Sequence, residues 1–143
     1  MKGFIILLIL AAIGAGIYVF MLKPDPAFEQ YKIFANHVVN KRFKEAKEMT
    51  EGQALLAVEE QEEMNKNMGK AGFSMDVLGA TYTLDSKENA GSETNLKISQ
   101  TVRVNPPGQT SAFGTAVPHK QEATLVQKGE KWVVTKFKDE IEK

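Results

Sequence analysis

Cysteine is absent from this chain of 143 residues. Its absence excludes disulfide bonds, thiolate metal sites, a catalytic thiol and a lipidated cysteine. It leaves the compartment open, because an oxidising environment permits disulfides without requiring them. A surplus of charge is also missing, since 18 acidic and 18 basic side chains give a formal net charge of zero. Proteins that bind nucleic acid usually have a basic surplus, so we predict no nucleic-acid partner.

The familiar motifs of catalysis are missing as well. The sequence contains no glycine-rich phosphate loop, nucleophile elbow or Walker sequence. Its two histidines, His37 and His119, lie far apart and have no ligand-type partner one helical turn away, so we predict no metal and no cofactor. Tyr31 and Asp76 are the residue types of a general-base pair. We expect Tyr31 in an apolar helix stripe and Asp76 in solvent, which favours binding over catalysis.

The longest apolar run covers residues 3–22 and contains no charged side chain. In a helix this length spans about 30 Å, the thickness of the hydrocarbon core of a bilayer. Lys2 and Lys23 flank the run, and Pro24 stops a helix soon after it leaves the lipid. We therefore predict that residues 1–23 form an uncleaved signal-anchor, a single-pass transmembrane helix whose first partner is the lipid bilayer.

Two other interpretations of this run stay open. Small residues within 12–16 have the spacing of a signal-peptide cleavage site, although apolar residues continue beyond it. The Lys-Gly-Phe start resembles a type IV pilin leader, but Leu8 occupies the position where a pilin carries glutamate. The flanking basic residues nearly balance, so they do not choose an orientation. Because long domains are translocated largely regardless of charge, we predict that the domain after the anchor is periplasmic or at the cell surface.

Residues 24–138 predict one soluble domain that begins with helices. Asp25 followed by Pro26 is a helix-start signature, an N-cap acid before proline at the first helical position. Apolar residues then recur at helical spacing. The pattern predicts helices over residues 26–39, 42–49 and 53–67.

From residue 73 onward the hydrophobic pattern changes to that of strands. Leu96, Ile98, Val102 and Val104 alternate with polar residues, as in an antiparallel strand with one buried face. Helices followed by strands indicate an α+β domain. We predict two or three helices packed on a curved four-stranded antiparallel sheet, behind the transmembrane helix. The predicted strands are 73–84, the stretch around 96–104, 120–127 and 131–138, with a turn over 85–91 and a charged, frayed tail over 139–143.

Two short stretches resemble the nuclear-transport-factor-2-like superfamily, a group of cystatin-like α+β domains. The first is FANHVVNKRFKEAKEMT, in which Phe34, Phe43 and Ala46 match an aromatic helix, a break, and an aromatic residue three before alanine. The second is GEKWVV, which is similar to the superfamily's closing strand, where a turn precedes a tryptophan. The resemblance covers about residues 27–138.

This resemblance implies a curved sheet around a cone-shaped pocket, in which Tyr31, Phe34 and Trp132 are the ligand-pocket candidates. Members of the superfamily include isomerases, dehydratases, hydrolases and transport factors. A deep pocket lined by Tyr31, Trp132 and an inward carboxylate would favour an enzyme, and a pocket plugged by Phe34 and Trp132 would argue against one. The resemblance also implies a homodimer through the open sheet face.

The connection over residues 105–118 is long for a hairpin and contains three prolines and the lone aromatic Phe113. Long loops in compact domains are binding loops or mobile linkers. Phe113 is therefore a candidate for contacting a protein partner. We predict a membrane-anchored, extracytoplasmic binding or assembly domain without catalysis. The alternatives are a membrane-tethered enzyme or small-ligand binder that uses the pocket, and a pilin-like filament subunit.

Overall fold

The computed structural model describes residues 24–143, in which three helices precede four strands. The strands form one antiparallel sheet in the order β1-β2-β3-β4. This arrangement confirms the α+β fold with three helices and a four-stranded antiparallel sheet. The elements are α1 Pro26–Val39, α2 Phe43–Glu48, α3 Gly52–Lys70, β1 Asp76–Ala90, β2 Glu93–Asn105, β3 Thr115–Lys128 and β4 Lys131–Ile141.

The predicted membrane anchor, residues 1–23, lies outside the described residues. Between residues 24 and 143, no helix is both long enough and apolar enough to cross a bilayer.

Helix α1 begins and ends where its local sequence predicts. The Phe28 N–H donates to Oδ1 of Asp25 over 3.1 Å, and Pro26 occupies the first turn. Burial by itself would raise the pKa of Asp25. Hydrogen bonds from Lys87 and from the Phe28 N–H, together with the Lys87 charge, outweigh that effect and hold the pKa below its ordinary value. The helix ends before Lys41, which has a positive φ of 61°.

The hydrophobic core lies between the helices and one face of the sheet. Phe34 of α1 is fully buried, and its ring meets that of Phe137 edge-on at a centroid distance of 5.2 Å. The Tyr31 ring lies 6.0 Å from that of Phe34. Such aromatic contacts stabilise a core beyond the area that they bury. The largest fully buried side chains are Tyr31, Phe34, Leu96, Ile98, Leu125, Val58 and Val134.

The outer edge of β4 is covered by the connection between α2 and α3. The Val134 N–H donates to the Met49 carbonyl over 2.9 Å, and the Val134 carbonyl accepts from the Glu51 N–H over 3.0 Å. Further along the edge, the Gln53 side chain bonds both the N–H and the carbonyl of Phe137. These bonds give partners to backbone N–H and carbonyl groups on the β4 edge that would otherwise be unpaired. They also fix the start of α3 against the sheet.

All four strands extend beyond the ranges that the sequence predicts, and β1 also begins at Asp76, three residues later than predicted. The predicted turn over 85–91 is wrong for most of its length, because β1 continues to Ala90 and the chain reverses at Gly91 and Ser92. The polar residues there pair with β2, and backbone pairing does not require apolar side chains. Strand β3 begins at Thr115, and β4 continues to Ile141, so residues 139–141 of the predicted tail belong to a strand.

The domain has two distinguishable ends along its strands. Lys87, near the end of β1, pairs with Asp25 at the start of α1 over 2.5 Å. The β1–β2 turn and the β3–β4 turn both lie at this end, because Glu93 at the start of β2 pairs with Val126 near the end of β3. The loop over residues 106–114 joins the end of β2 to the start of β3, at the other end of the sheet. We call that side of the domain the far end, because it is the one remote from residue 24.

Candidate functional site

Five polar side chains meet on the core-facing side of the sheet. Strand pairing aligns Gln100 of β2 with His119 of β3, and Gln121 of β3 with Asp139 of β4. Alternation along each strand puts all four on the same face as the buried apolar residues. Tyr31 of α1 reaches them from the helical layer. We call these five residues the inner polar cluster.

Gln121 is the hub of the inner polar cluster. Its Oε1 accepts a short hydrogen bond from the Tyr31 hydroxyl. Its Nε2 donates to Oε1 of Gln100 over 2.9 Å and to Oδ1 of Asp139 over 3.2 Å. The same Asp139 oxygen lies 2.9 Å from Nδ1 of His119. Gln100 and Gln121 are only 2% and 3% exposed, so these bonds replace water that the two amides lose on folding.

Burial governs the protonation of the tyrosines near the cluster. Burial raises the pKa of Tyr31 well above its ordinary value of 10.0, and the charge of Asp139 and the nearby Tyr82 act in the same direction. Burial also raises the pKa of Tyr82, partly opposed by the Gln100 amide and reinforced by Asp139. The Tyr31 hydroxyl therefore stays neutral and serves as a hydrogen-bond donor at physiological pH.

A partly enclosed cavity of about 180 Å³ adjoins the cluster. Its polar lining includes Gln100, His119, Gln121 and Asp139, and the apolar part of its wall comes from the end of α1 and from three strands. Small-molecule sites combine a mainly apolar wall with a few convergent polar groups, and this cavity has that composition. Its lining residues are Ala35, Val38, Val39, Gln61, Val77, Gln100, Val102, His119, Gln121, Phe137 and Asp139.

The Gln100 amide nitrogen lies beside the Tyr82 hydroxyl. This nitrogen is buried and makes no full-strength hydrogen bond within residues 24–143. The hydroxyl is close enough that a hydrogen bond from the Gln100 amide acts to lower the pKa of Tyr82, which burial raises. Although the hydroxyl donates to Oδ1 of Asn36 over 2.9 Å, its oxygen can still accept from Gln100, because a hydroxyl is both donor and acceptor.

The three ligand-pocket candidates lie in different parts of the core. Tyr31 belongs to the inner polar cluster and touches the cavity wall through Gln121. Phe34 lies deeper, against Phe137, and fills the centre of the core. Trp132 is partly buried and lies near the β3–β4 hairpin, at the end nearest residue 24. None of the three is among the residues that line the cavity.

The sequence predictions did not include the polar residues that line the cavity. The sequence pattern places Asp139 in the charged tail, and it gives His119 no functional role. Gln100 carried a usable signal, because it occupies a buried-face position of β2 between Ile98 and Val102. A polar residue at such a position must find a partner, and its partners come from β3, which only the folded structure brings alongside.

The partner-loop candidate Phe113 lies at the far end and is 80% exposed. Its loop is held by bonds from Arg103 to the Phe113 carbonyl and from Asn105 to the Ser111 carbonyl. The next residue, Gly114, has a φ of 60°, and a Cβ there would lie 2.8 Å from the Val104 carbonyl oxygen, so a larger residue would force the backbone to move. Leu78 and Met75 are also exposed, so several apolar side chains face solvent at this end.

The outer face of the sheet is polar and charged. Lys97, Glu122, Lys136 and Lys138 surround a shallow cavity of about 560 Å³ on this face. Charged residues are depleted from the cores of protein interfaces. The homodimer through the sheet face, which the family resemblance implies, stays a prediction.

Residues 24–143 contain no group of three histidine or carboxylate side chains placed to hold a metal ion. Comparisons with protein-family models, with curated proteins and with solved structures find no match to this chain. The features of this chain that bear on function are the inner polar cluster, its cavity and the apolar run at residues 3–22.

Proposed function

We propose that this protein holds a small ligand in the cavity beside the inner polar cluster, in a domain tethered to a membrane by residues 1–23. The observation that carries the proposal is the convergence of Gln100, His119, Gln121 and Asp139 on the wall of a partly enclosed, otherwise mainly apolar cavity. These four residues come from three different strands, so the sheet itself positions this part of the site. Sites built on strands are positioned more rigidly than sites on loops.

The proposal is one of binding without catalysis. A membrane-tethered enzyme is its alternative, and the observation that favours it is the bond between His119 and Asp139. The Asp139 oxygen lies 2.9 Å from Nδ1 and fixes the orientation of the His119 ring. Binding requires only the donors and acceptors already described, whereas catalysis also requires a reacting group that nothing in residues 24–143 identifies.

A cavity-filling substitution tests the binding site. Val38 lines the cavity from α1 and is partly buried, so Val38→Phe places a ring in the space that a ligand would use. We expect small aromatic amides and acids to bind the full chain with dissociation constants of about 1 mM, and Val38→Phe to weaken them at least about tenfold. Saturation-transfer NMR on the chain in mild detergent measures both.

The matched control for this experiment is Ile33→Phe, which places the same ring on the exposed side of α1. We expect its ligand binding to equal that of the unaltered chain. Equal binding by Val38→Phe and the unaltered chain, or no binding of any fragment by the unaltered chain, would contradict the proposed site.

Membrane attachment has its own test. Residues 3–22 have spanning length, and removal of an apolar helix of this length removes the whole anchoring free energy. We expect the full chain to stay with cell membranes after an alkaline carbonate wash, and a variant that begins at residue 24 to appear in the soluble fraction. Immunoblotting of both fractions measures this. Release of the full chain by the wash would contradict the anchor.

A protein partner is the second candidate, favoured by the position of Phe113. Its ring is exposed at the far end, on the side of the domain opposite the start of α1. A domain tethered through residues before 24 would therefore present Phe113 away from the bilayer. Exposed aromatic side chains are enriched in protein interfaces. This arrangement is compatible with ligand binding, because the cavity and Phe113 occupy different surfaces.

A further inference from the structure

The second half of α3, residues 59–70, turns polar side chains inward and its largest apolar ones outward. No side chain in this segment is buried, since the buried residues of α3 are Ala54 and Val58. A helix that packs only on its own domain has the opposite distribution, so the outer face of α3 has the composition of a contact surface. The partly covered side chains are Gln61, Glu62 and Asn65, and the exposed apolar ones are Met64 and Met68.

Exposed apolar side chains form a stripe along this outer face. Leu56, which is 61% exposed, lies about two turns before Met64, which is 59% exposed. After the helix the chain folds back, because the Phe73 N–H donates to the Met68 carbonyl over 2.9 Å. The exposed Phe73 then lines a shallow groove of about 460 Å³ together with Met64 and Met68. We call Leu56, Met64, Met68 and Phe73 the α3 stripe.

A row of charges borders the α3 stripe, acidic in its first half and basic in its second. Glu59, Glu63, Lys66 and Lys70 follow one another at spacings of four, three and four residues, so they share one side of the helix. Within residues 24–143, none of them takes part in a salt bridge. The row is complementary to a reversed copy of itself, because acids then meet bases at every position.

We propose that two copies of this chain associate through the outer faces of their α3 helices, which run antiparallel about a two-fold axis. Glu63 then faces Lys66 of the partner subunit, and Glu59 faces Lys70 of the partner subunit. Because the spacings are the same from either end of the row, both pairs form in a single register. A two-fold contact uses the same surface on both copies, so it closes at a dimer.

The same register matches the apolar side chains. It places the axis between residues 64 and 65, so the two Met64 side chains lie next to each other. Leu56 reaches the other end of the partner's α3 stripe, where Phe73 of the partner subunit lies. Burial of these exposed side chains drives the association, and the charge pairs select its antiparallel direction.

The charge row distinguishes a second copy from other occupants of this face. A parallel pair of α3 helices would place Glu59 and Glu63 beside the same acids of the other copy, and like charges repel. A basic peptide would complement these acids but would meet repulsion from Lys66 and Lys70. No residue of the α3 stripe or the charge row lines the cavity beside the inner polar cluster, so this inference is independent of the proposed function.

Cross-linking through single cysteines tests the position of the axis, because the chain has no cysteine of its own. In mild detergent, we expect full-length Met64→Cys to be joined into a dimer by a bismaleimide with a spacer of about 10 Å, since packed helix axes lie about 8–10 Å apart. Leu56→Cys is the matched control on the same stripe. Its two cysteines would lie about 25 Å apart along the helices, so it should stay monomeric on a denaturing gel.

Three outcomes of this experiment would overturn the proposal. Equal cross-linking of Met64→Cys and Leu56→Cys would mean a parallel or unspecific contact. A Met64→Cys chain that forms no dimer would mean that the two α3 helices do not meet. A cross-linked product with the mass of this chain plus a different protein would mean that a different partner occupies the face.

Charge reversals test the antiparallel direction in the Met64→Cys chain. Glu63→Lys and Lys66→Glu each place like charges at both central contacts of their own homodimers, so we expect each to weaken dimerisation at least about tenfold. A dimer of one chain of each kind regains opposite charges at both contacts. When the two chains are co-expressed, one of them extended by a tag, the mixed dimer should therefore cross-link as well as the unaltered pair.

The mixed dimer separates a contact between chains from an effect within one chain, since neither altered chain is repaired internally. Glu130→Lys makes the same charge change in the exposed β3–β4 turn and should leave cross-linking unchanged. Dimerisation of either single variant at the unaltered level, or a mixture that forms no mixed dimer, would overturn the antiparallel pairing.

Discussion

Replacing Phe34 with alanine is expected to lower the free energy of unfolding by about 3–5 kcal/mol, which is the usual cost of deleting a buried aromatic ring. Phe34 is fully buried, and its ring contacts those of Tyr31 and Phe137. The cavity left behind is bounded by α1 on one side and the sheet on the other, so neither wall can close it without moving an entire element. Urea unfolding followed by far-UV circular dichroism measures the change.

Ile33→Ala is the control for Phe34→Ala. Ile33 is the preceding residue of α1, and its side chain is 46% exposed, so its loss removes few buried contacts. We expect Ile33→Ala to change the free energy of unfolding by about 0.5 kcal/mol or less. A loss of under about 1 kcal/mol for Phe34→Ala would mean that this ring is not the centre of the core.

Replacing Gln121 with leucine is expected to cost about 3 kcal/mol, although leucine fills nearly the same space. The Tyr31 hydroxyl would lose its acceptor, and Oε1 of Gln100 would lose its donor. Each buried polar group left unsatisfied costs about 1–3 kcal/mol. Because burial keeps Tyr31 neutral, it cannot ionise to reduce this cost. The same urea titration measures the effect.

A double substitution distinguishes a lost hydrogen bond from a packing defect. In Gln121→Leu combined with Tyr31→Phe, no hydroxyl is left without an acceptor, so the double variant should be more stable than Gln121→Leu alone by about 1 kcal/mol or more. Gln127→Leu is the control for the leucine itself, since Gln127 is exposed on the same strand. Additive losses from the two cluster substitutions would contradict the proposed role of Gln121 as hub.

Local features of the sequence predicted the helical half of the fold well. Asp25 and Pro26 supply a side-chain cap and a fixed φ at the first helical residue, and both act within one turn. The predicted first helix, residues 26–39, has the bounds of α1. The second and third helices are present with ends shifted by one to three residues, since helix ends depend on what each end packs against.

The strand ends were less predictable, because they depend on pairing between distant residues. Lys87 and Ala90 lie in a polar stretch that resembles a turn, yet both pair with β2 in a hairpin. Asp139 lies in a charged C-terminal stretch, and its pairing with Gln121 extends β4 past the predicted end. Polar composition identifies solvent exposure, but a strand at a sheet edge is exposed and still paired.

The candidate site shows the same division. The apolar run of spanning length, the α+β order of elements and the apolar stripe of α1 can be read from the sequence, because each depends on residues close along the chain. That Gln100, His119, Gln121 and Asp139 share one wall is visible only in the folded structure. Their meeting depends on the register of three strands, and a shift of one residue in any strand would turn its side chains to the opposite face.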